Sequence, residues 1–330
     1  MISKANCSES WTRGLVASSL AAILICGQAH SQTYPSKPIR FVVPFPPGGA
    51  ADFLARPMAQ KMAESMGQPV VLENRPGADG AIGAEATARA AADGHTIMLG
   101  TMGTHVLNAL FQKTLPYDPI RDFTPITLST LSVIGLVANP SNKFSSLNDL
   151  IERARKQPGA FGFASNGNGS PHHIAGELLK KLAGINLLHV PYKGGAQAAT
   201  DLLSGVVPLG FFTLAAVLPH IQQGKLQLLG VIEPKRFALL PSSPSIGEVV
   251  PGYEMSSWSG VLGPAKLPPE ILARLHRELV AAIKAPDTVK RYEPAGLSVV
   301  ASTPEQFAST IVSDTAKWKK ITAELGLAPE

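Results

Sequence analysis

Cysteine is nearly absent: the 330 residues hold two, Cys7 and Cys26. Both fall in an N-terminal segment that reads as a leader, so the remaining chain has no thiol for disulfides, thiolate metal sites or nucleophilic catalysis. Charge is also scarce. Charged residues make up 16% of the chain, against the ~25% of ordinary globular domains. The net charge of +5 is scattered over short groups such as Lys180-Lys181 and Lys317 with Lys319-Lys320. Nucleic-acid binding needs a clustered basic stripe, so no nucleic-acid partner is expected. Past the leader no apolar run approaches the ~20 residues of a membrane span, which excludes a polytopic membrane protein. A hydrophobic share of 45% excludes disorder.

Catalytic signatures are missing as well. There is no G-x-S-x-G elbow, no P-loop and no H-E-x-x-H. His172-His173 with Glu177 offers an i, i+4 pair that could hold one edge of a metal, but no local residue completes the three or four ligands required. Hydrogen bonding at a helix start is the expected role of these histidines. Gly167-Asn168-Gly169 begins like a dinucleotide fingerprint, yet His172 stands where the third glycine belongs. No catalytic residue, metal or cofactor is expected.

What is present begins with export. Lys4 and Arg13 precede an apolar stretch from Leu15 to Gly27, broken only by Ser18 and Ser19, and Ala29-His30-Ser31 supplies a small-x-small exit. This is the pattern of a secretory signal peptide over residues 1–31, cleaved near Ser31. Ile25 before Cys26 argues against lipid attachment.

The rest is long enough for about two domains. Ile39 to Phe45 reads as a buried strand, Ala50 to Gly67 as a helix with Phe53, Leu54, Met58 and Met62 recurring at three- and four-residue spacing, and Val70 to Glu73 as a strand. Ala81 to Ala92 reads as a helix and Thr96 to Gly100 as a strand. The alternation restarts near residue 145. A helix follows Ser146, then come a strand over Phe161 to Ala164, a helix over Ile174 to Leu182 and a strand over Leu187 to Val190. A helix over Gln197 to Leu203 precedes strands at Val207 to Phe212, Leu226 to Ile232 and Ser256 to Leu262. Long helices over Pro269 to Ala285 and Pro304 to Leu325 close the chain. Strand–helix alternation of this kind predicts two α/β units with parallel strands and flanking helices, and ligands favour the cleft between such units.

Three turns end a strand and open a helix: Phe45-Pro46-Pro47-Gly48-Gly49-Ala50-Ala51-Asp52, Gly100-Thr101-Met102-Gly103-Thr104-His105, and Ser165-Asn166-Gly167-Asn168-Gly169-Ser170-Pro171. Each puts glycine, small side chains and hydroxyls beside the unsatisfied amides of a helix's first turn. With the helix dipole these form an anion site that needs no cationic side chain. Asp52 either caps its own helix or accepts a bond from a ligand hydroxyl or amine.

Six segments in order then carry a resemblance: Tyr34-Pro35-Ser36-Lys37-Pro38-Ile39-Arg40, Pro44-Phe45-Pro46-Pro47-Gly48-Gly49, Glu73-Asn74-Arg75-Pro76-Gly77, Leu115-Pro116-Tyr117-Asp118-Pro119, Gly167-Asn168-Gly169-Ser170 and His189-Val190-Pro191-Tyr192-Lys193-Gly194-Gly195. Together they closely resemble the Bug/TctC family of extracytoplasmic solute receptors of tripartite tricarboxylate transporters, from about Tyr34 to Leu325. The resemblance implies a two-lobed periplasmic binding protein (a Venus flytrap of two mixed or parallel sheets flanked by helices), with lobe 1 made of residues 32–134 plus 256–330 and lobe 2 of 135–255. It implies a monomer that catches a small organic carboxylate, partly through waters, and passes it to membrane transport subunits. Carried onto this chain, the binding positions are Phe45, Gly48, Gly49, Ala50, Ala51 and Asp52; Thr101, Thr104 and His105; Ser165, Asn166, Asn168 and Ser170; and Phe212 with Thr213. The rest of Val190 to Gly195 reads as architecture.

One departure from the family bears on specificity. Members often carry Phe-Asp-Ser-Leu where this chain has Phe211-Phe212-Thr213-Leu214. An acid there could pair with the ammonium of an amino acid; Phe212 cannot, so a non-amino carboxylate is expected, aromatic diacids included, unless Phe212 turns into the core instead. Two rivals use the same residues: a ligand-loaded partner of a membrane sensor, and an enzyme acting on a phosphate ester.

Overall fold

The computed structural model describes residues 34–324 and 326. The expected signal peptide, its cleavage point near Ser31, both cysteines and Leu325 lie outside the described residues. From Lys37 onward the chain forms one contact unit built on two sheets.

The first sheet starts with three parallel strands, β1 (Ile39–Val43), β2 (Val70–Asn74) and β3 (Thr96–Thr101). β1 stops at Val43 rather than the expected Phe45, because Pro44 has no N–H to donate to a neighbouring strand. Between the strands run α1 (Ala50–Met66) and α2 (Ala81–Ala88). Leu54, Met58 and Met62 of α1 are buried as one stripe, with Phe53 half-buried beside it, and Gly67 ends the helix in a left-handed conformation at φ 68° that glycine adopts without steric penalty. α2 is shorter than expected; beyond it the Asp93 carboxylate accepts from His95 N at 3.0 Å and leads the chain into β3.

Two neighbouring strands, absent from the sequence reading, connect the sheets. β4 (Phe123–Ser132) lies in the first sheet and β5 (Ile134–Ala138) in the second, with Val133 alone between them. After β5 come α4 (Leu147–Lys156), β6 (Gly162–Ser165), α5 (Pro171–Ala183), β7 (Leu188–Pro191), α6 (Gly195–Ser204), β8 (Leu209–Thr213), α7 (Leu214–Gln222) and β9 (Gln227–Val231); α3 is the short turn Asn108–Phe111 before β4, and α8 the turn Ile246–Val249 after β9. The second sheet has the order β7-β6-β8-β5-β9, with β6 parallel to β7 and β8 and with β5 antiparallel to β8 and β9. Gly176 of α5 lies so close to β6 that a Cβ would meet the Phe163 ring at 2.2 Å. Any larger residue would have to displace the buried Phe163 ring or the helix.

The chain then returns to the first sheet. β10 (Trp258–Pro264) inserts between β3 and β4, antiparallel to both, and β11 (Leu297–Val299) adds to the edge of β4, completing the order β11-β4-β10-β3-β1-β2. The helices α9 (Pro269–Lys284), α10 (Pro286–Tyr292) and α11 (Pro304–Glu324) belong to this returning segment. The architecture is therefore two mixed α/β sheets flanked by helices. The two passages between sheets lie side by side: Ser132 N donates to Ser257 O at 2.8 Å, Ile232 N to Ile134 O at 2.9 Å and Ile134 N to the Glu233 carboxylate at 3.2 Å.

Candidate functional site

Turns from both sheets enclose a cavity of about 140 Å³. The β1–α1 turn supplies Phe45, Gly48, Gly49, Ala50 and Ala51 to its wall. Gly48 adopts φ 83°, a left-handed value that lets the turn double back, and Gly49 opens α1 with no side-chain cap. The first residues of α1 therefore line the cavity with no side-chain oxygen capping the helix start among the described residues. Asp52 is not on the wall. It is 2% exposed and ties the turn from behind, accepting from Gly48 N at 3.2 Å, Arg56 Nε at 2.9 Å and Asn74 Nδ2 at 3.1 Å. Burial raises its pKa, but the Arg56, Asn74 and Gly48 donors outweigh burial and hold it below the usual value. Asp52 does not cap the helix, whose N-cap Gly49 has no side-chain partner; it ties Gly48 to Arg56 and Asn74 instead.

After β3, Thr101 and Gly103 line the cavity, where the backbone winds in a wide π-type turn over Gly103–Leu107. Thr104 and His105 are fully buried behind that wall. Thr104 Oγ1 accepts from Thr101 N at 2.9 Å and pairs with His105 Nδ1 at 2.8 Å, and the imidazole packs edge-on against Phe123 at 4.6 Å. Burial pulls the His105 pKa down to about 3, so its ring is neutral. These two residues shape the wall and do not reach the cavity.

The second sheet contributes three more helix openings. Ser170 caps α5 by accepting from His173 N at 3.2 Å. It lines the cavity with Asn166 and His172, and His172 Nε2 meets Thr213 Oγ1 at 3.2 Å. Gly194 and Gly195 open α6, and Thr213 opens α7, each without a side-chain cap. Ser165 is fully buried beneath the turn, its Oγ bonded to His189 Nε2 at 2.6 Å. Asn168 lies in a neighbouring, larger chamber of about 1,130 Å³. Phe212 is 1% exposed and packed over Gly210 in the core, and it is also among the residues lining the cavity.

Four helices of eight residues or more thus begin on one small space, three without a side-chain cap. Each start carries roughly half a positive charge. Among the described residues lining this cavity there is no lysine or arginine; the titratable side chains of the wall are Asp79 and His172. Burial pulls His172 down to about 4, so it is neutral too. Such a wall favours a compact anion held by amides and hydroxyls.

The sequence reading missed several wall residues. Gly194 and Gly195 line the cavity and are more than architecture: a strand, two glycines and a helix in succession repeat the signal of Gly48 and Gly49. Ser132, Ser257, Trp258 and Ser259 reach the wall only through the placement of β10 beside β4. Asp79 carries no local signature at all.

The sequence profile described as "Tripartite tricarboxylate transporter family receptor" matches residues 54–327. Three solved structures are similar over nearly the whole chain. The Rhodopseudomonas palustris protein Rpa4515, solved with adipate, is 34% identical with a TM-score of 0.87, covering 90% of this chain and 100% of its own. The periplasmic binding protein BugD is 30% identical with a TM-score of 0.86, at 90% and 100% coverage. MatC of Rhodopseudomonas palustris, solved with malate, is 29% identical with a TM-score of 0.83, at 87% and 99% coverage.

Proposed function

The chain belongs to the tripartite tricarboxylate transporter receptor family, and from that premise we propose that its cavity captures a small organic carboxylate in the periplasm for delivery to membrane transport subunits. Members of this family are solute-binding receptors and not enzymes. The observation that supports a carboxylate most directly is the convergence of uncapped helix starts on a wall without lysine or arginine. The related structures solved with adipate and malate support a small carboxylate as the ligand.

In this reading the amides at Gly49, Ala50 and Ala51 meet the ligand from the first sheet. Thr101, Asn166, Ser170, the Gly195 and Ala196 amides and Thr213 complete the cage, with Phe45 and Phe212 as apolar walls. Asp52, Thr104, His105 and Ser165 act on the ligand only by fixing these turns. The sheets act as lobes whose boundaries lie near residues 134 and 256, and ligand contacts made only when they approach stabilise the closed form. The protein works as a monomer after cleavage of its leader near Ser31. Phe212 supplies no countercharge for an ammonium group, so non-amino acids are preferred, aromatic diacids among them.

A thermal-shift screen followed by calorimetry tests this. A ligand at a hundred times its Kd adds about 2.7 kcal/mol to apparent stability. Adipate, malate or an aromatic diacid should raise the melting temperature while aspartate and glutamate do not. Stabilisation by amino acids alone, or by none of the organic acids, would refute the proposal.

A further inference from the structure

We propose that Asp79 is a specificity-determining residue of this cavity: its protonated carboxyl donates a hydrogen bond to the bound carboxylate, so the complex holds an anion together with one proton kept on Asp79. This rests on the carboxylate reading above. Asp79 sits in the turn Ala78–Gly80 between β2 and α2. Its backbone is left-handed at φ 48°, as is that of Ala78 at φ 47°, which is uncommon outside glycine. Asn108 Nδ2 holds the Asp79 carbonyl at 3.2 Å, and the side chain reaches the wall that divides the smaller cavity from the larger chamber, lining both. The residue as a whole is half-buried, but its Oδ2 is fully buried and has no hydrogen-bond partner among the described residues.

The surroundings offer this oxygen no compensating cation. In the smaller cavity the other titratable group is His172, neutral through burial. Behind the wall stand His105, also neutral, and Tyr117, whose hydroxyl donates to Thr104 O at 2.6 Å. The larger chamber holds His173, His189, Glu177, Lys193 and Tyr192, whose hydroxyl donates to Asp201 Oδ2 at 2.8 Å. Burial pulls both imidazoles down to about 4. The Glu177 carboxylate is engaged by Lys180 at 2.8 Å, and Lys193 is exposed at that chamber's edge.

Two ionised carboxylates cannot share so small a space, and one proton between them removes the conflict. The hydrogen bond that results, O–H to carboxylate oxygen, is of the strong, charge-assisted kind. The proton comes from solvent and stays on Asp79, and no covalent bond changes. Burial lifts the Asp79 pKa to about 7, consistent with a carboxyl that keeps its proton near neutrality.

Two measurements test this with the full chain. First, carboxyl-carbon NMR titration of the ligand-free protein and of Asp79→Asn, which also accepts left-handed φ, should show one carboxyl titrating near 7 that vanishes in the variant. Titration of Asp79 in the ordinary range near 4 would overturn the proposal. Second, adipate affinity should fall about tenfold per pH unit above Asp79's titration, with one proton taken up, and should stay flat in Asp79→Asn. A flat wild-type profile, or glutamate binding more tightly than adipate at pH 8 with Asp79 as its anionic partner, would overturn it. Failure of adipate and every other acid to bind either protein at pH 6 would count against the carboxylate reading instead, and the NMR titration would still decide the state of Asp79.

Discussion

The indole N–H of Trp258 donates to Asp314 Oδ2 at 2.7 Å. Trp258 lies on the cavity wall at 2% exposure, packed at right angles to Phe307 with ring centroids 5.2 Å apart, and Asp314 belongs to α11. The last helix of the chain therefore holds one wall of the binding cavity. Asp314→Ala leaves a buried N–H unpaired and should lower stability by about 1–3 kcal/mol. Trp258 emission should shift, because the ring loses its anchor. Unchanged fluorescence and unchanged denaturant midpoint would contradict this role.

Asp52 offers a second test, since it braces the β1–α1 turn without lining the cavity. Asp52→Ala removes the acceptor for Gly48, Arg56 and Asn74 and should cost about 1–3 kcal/mol. Affinities for malate and succinate, which differ by one hydroxyl, should weaken by the same factor. A selective loss for malate, read by calorimetry, would mean that Asp52 touches the ligand hydroxyl after all.

A single backbone amide can be removed without disturbing α1. Ala50 is the first helical residue after Gly49, whose φ −88°, ψ −174° is extended and suits a residue before proline. Proline is well tolerated at this position because its missing N–H has no partner inside the helix. Ala50→Pro should keep its melting temperature within a few degrees and weaken adipate binding about tenfold, the loss of one hydrogen bond to a charged group. Unaltered affinity would place the anion elsewhere.

Stability should depend on pH from both sides. His105, His172, His173 and His189 have folded pKa values pulled below the ordinary 6.5 by burial. Each contributes stability that is present above 6.5 and lost as pH falls toward about 4, or about 3 for His105. Asp79 and Glu233 behave oppositely. Burial lifts them to about 7 and about 8, so their contribution is present at low pH and lost as pH rises through those values. Four imidazoles against two acids predict a maximum near pH 6–7 with a steeper fall on the acid side. A melting series from pH 4 to 9 that rises monotonically would contradict these assignments.

The parts of the fold that were legible in the sequence are those where burial makes a periodic pattern. Leu54, Met58 and Met62 marked α1, and the apolar run from Phe41 to Val43 marked β1. β4 was invisible because its sequence, FTPITLSTLS, buries polar residues. Thr127 Oγ1 donates to Ser302 O at 2.8 Å and Ser129 Oγ to Ser259 O at 2.7 Å, partners more than a hundred residues away. Hydroxyls satisfied by such distant carbonyls have no local periodicity to read. The site was legible where a glycine turn opens a helix, at Gly48–Ala51 and at Asn166–Ser170. It was illegible at Trp258 and Ser259, which reach the wall through antiparallel insertion of a distant strand. It was illegible at Asp79 too, where a left-handed turn aims an acid inward without any motif. Thr104, His105 and Ser165 share those turns, but one residue's difference in direction puts them behind the wall.

The central claim is that backbone amides at helix starts from both sheets hold the anion. The most direct test is a crystal structure of the protein with adipate bound. The account predicts carboxylate oxygens within hydrogen-bonding distance of the amides at Ala50 or Ala51 and at Gly195 or Ala196, with no lysine or arginine in contact. A carboxylate seated instead against Lys193 in the larger chamber, with the smaller cavity holding only water, would contradict it.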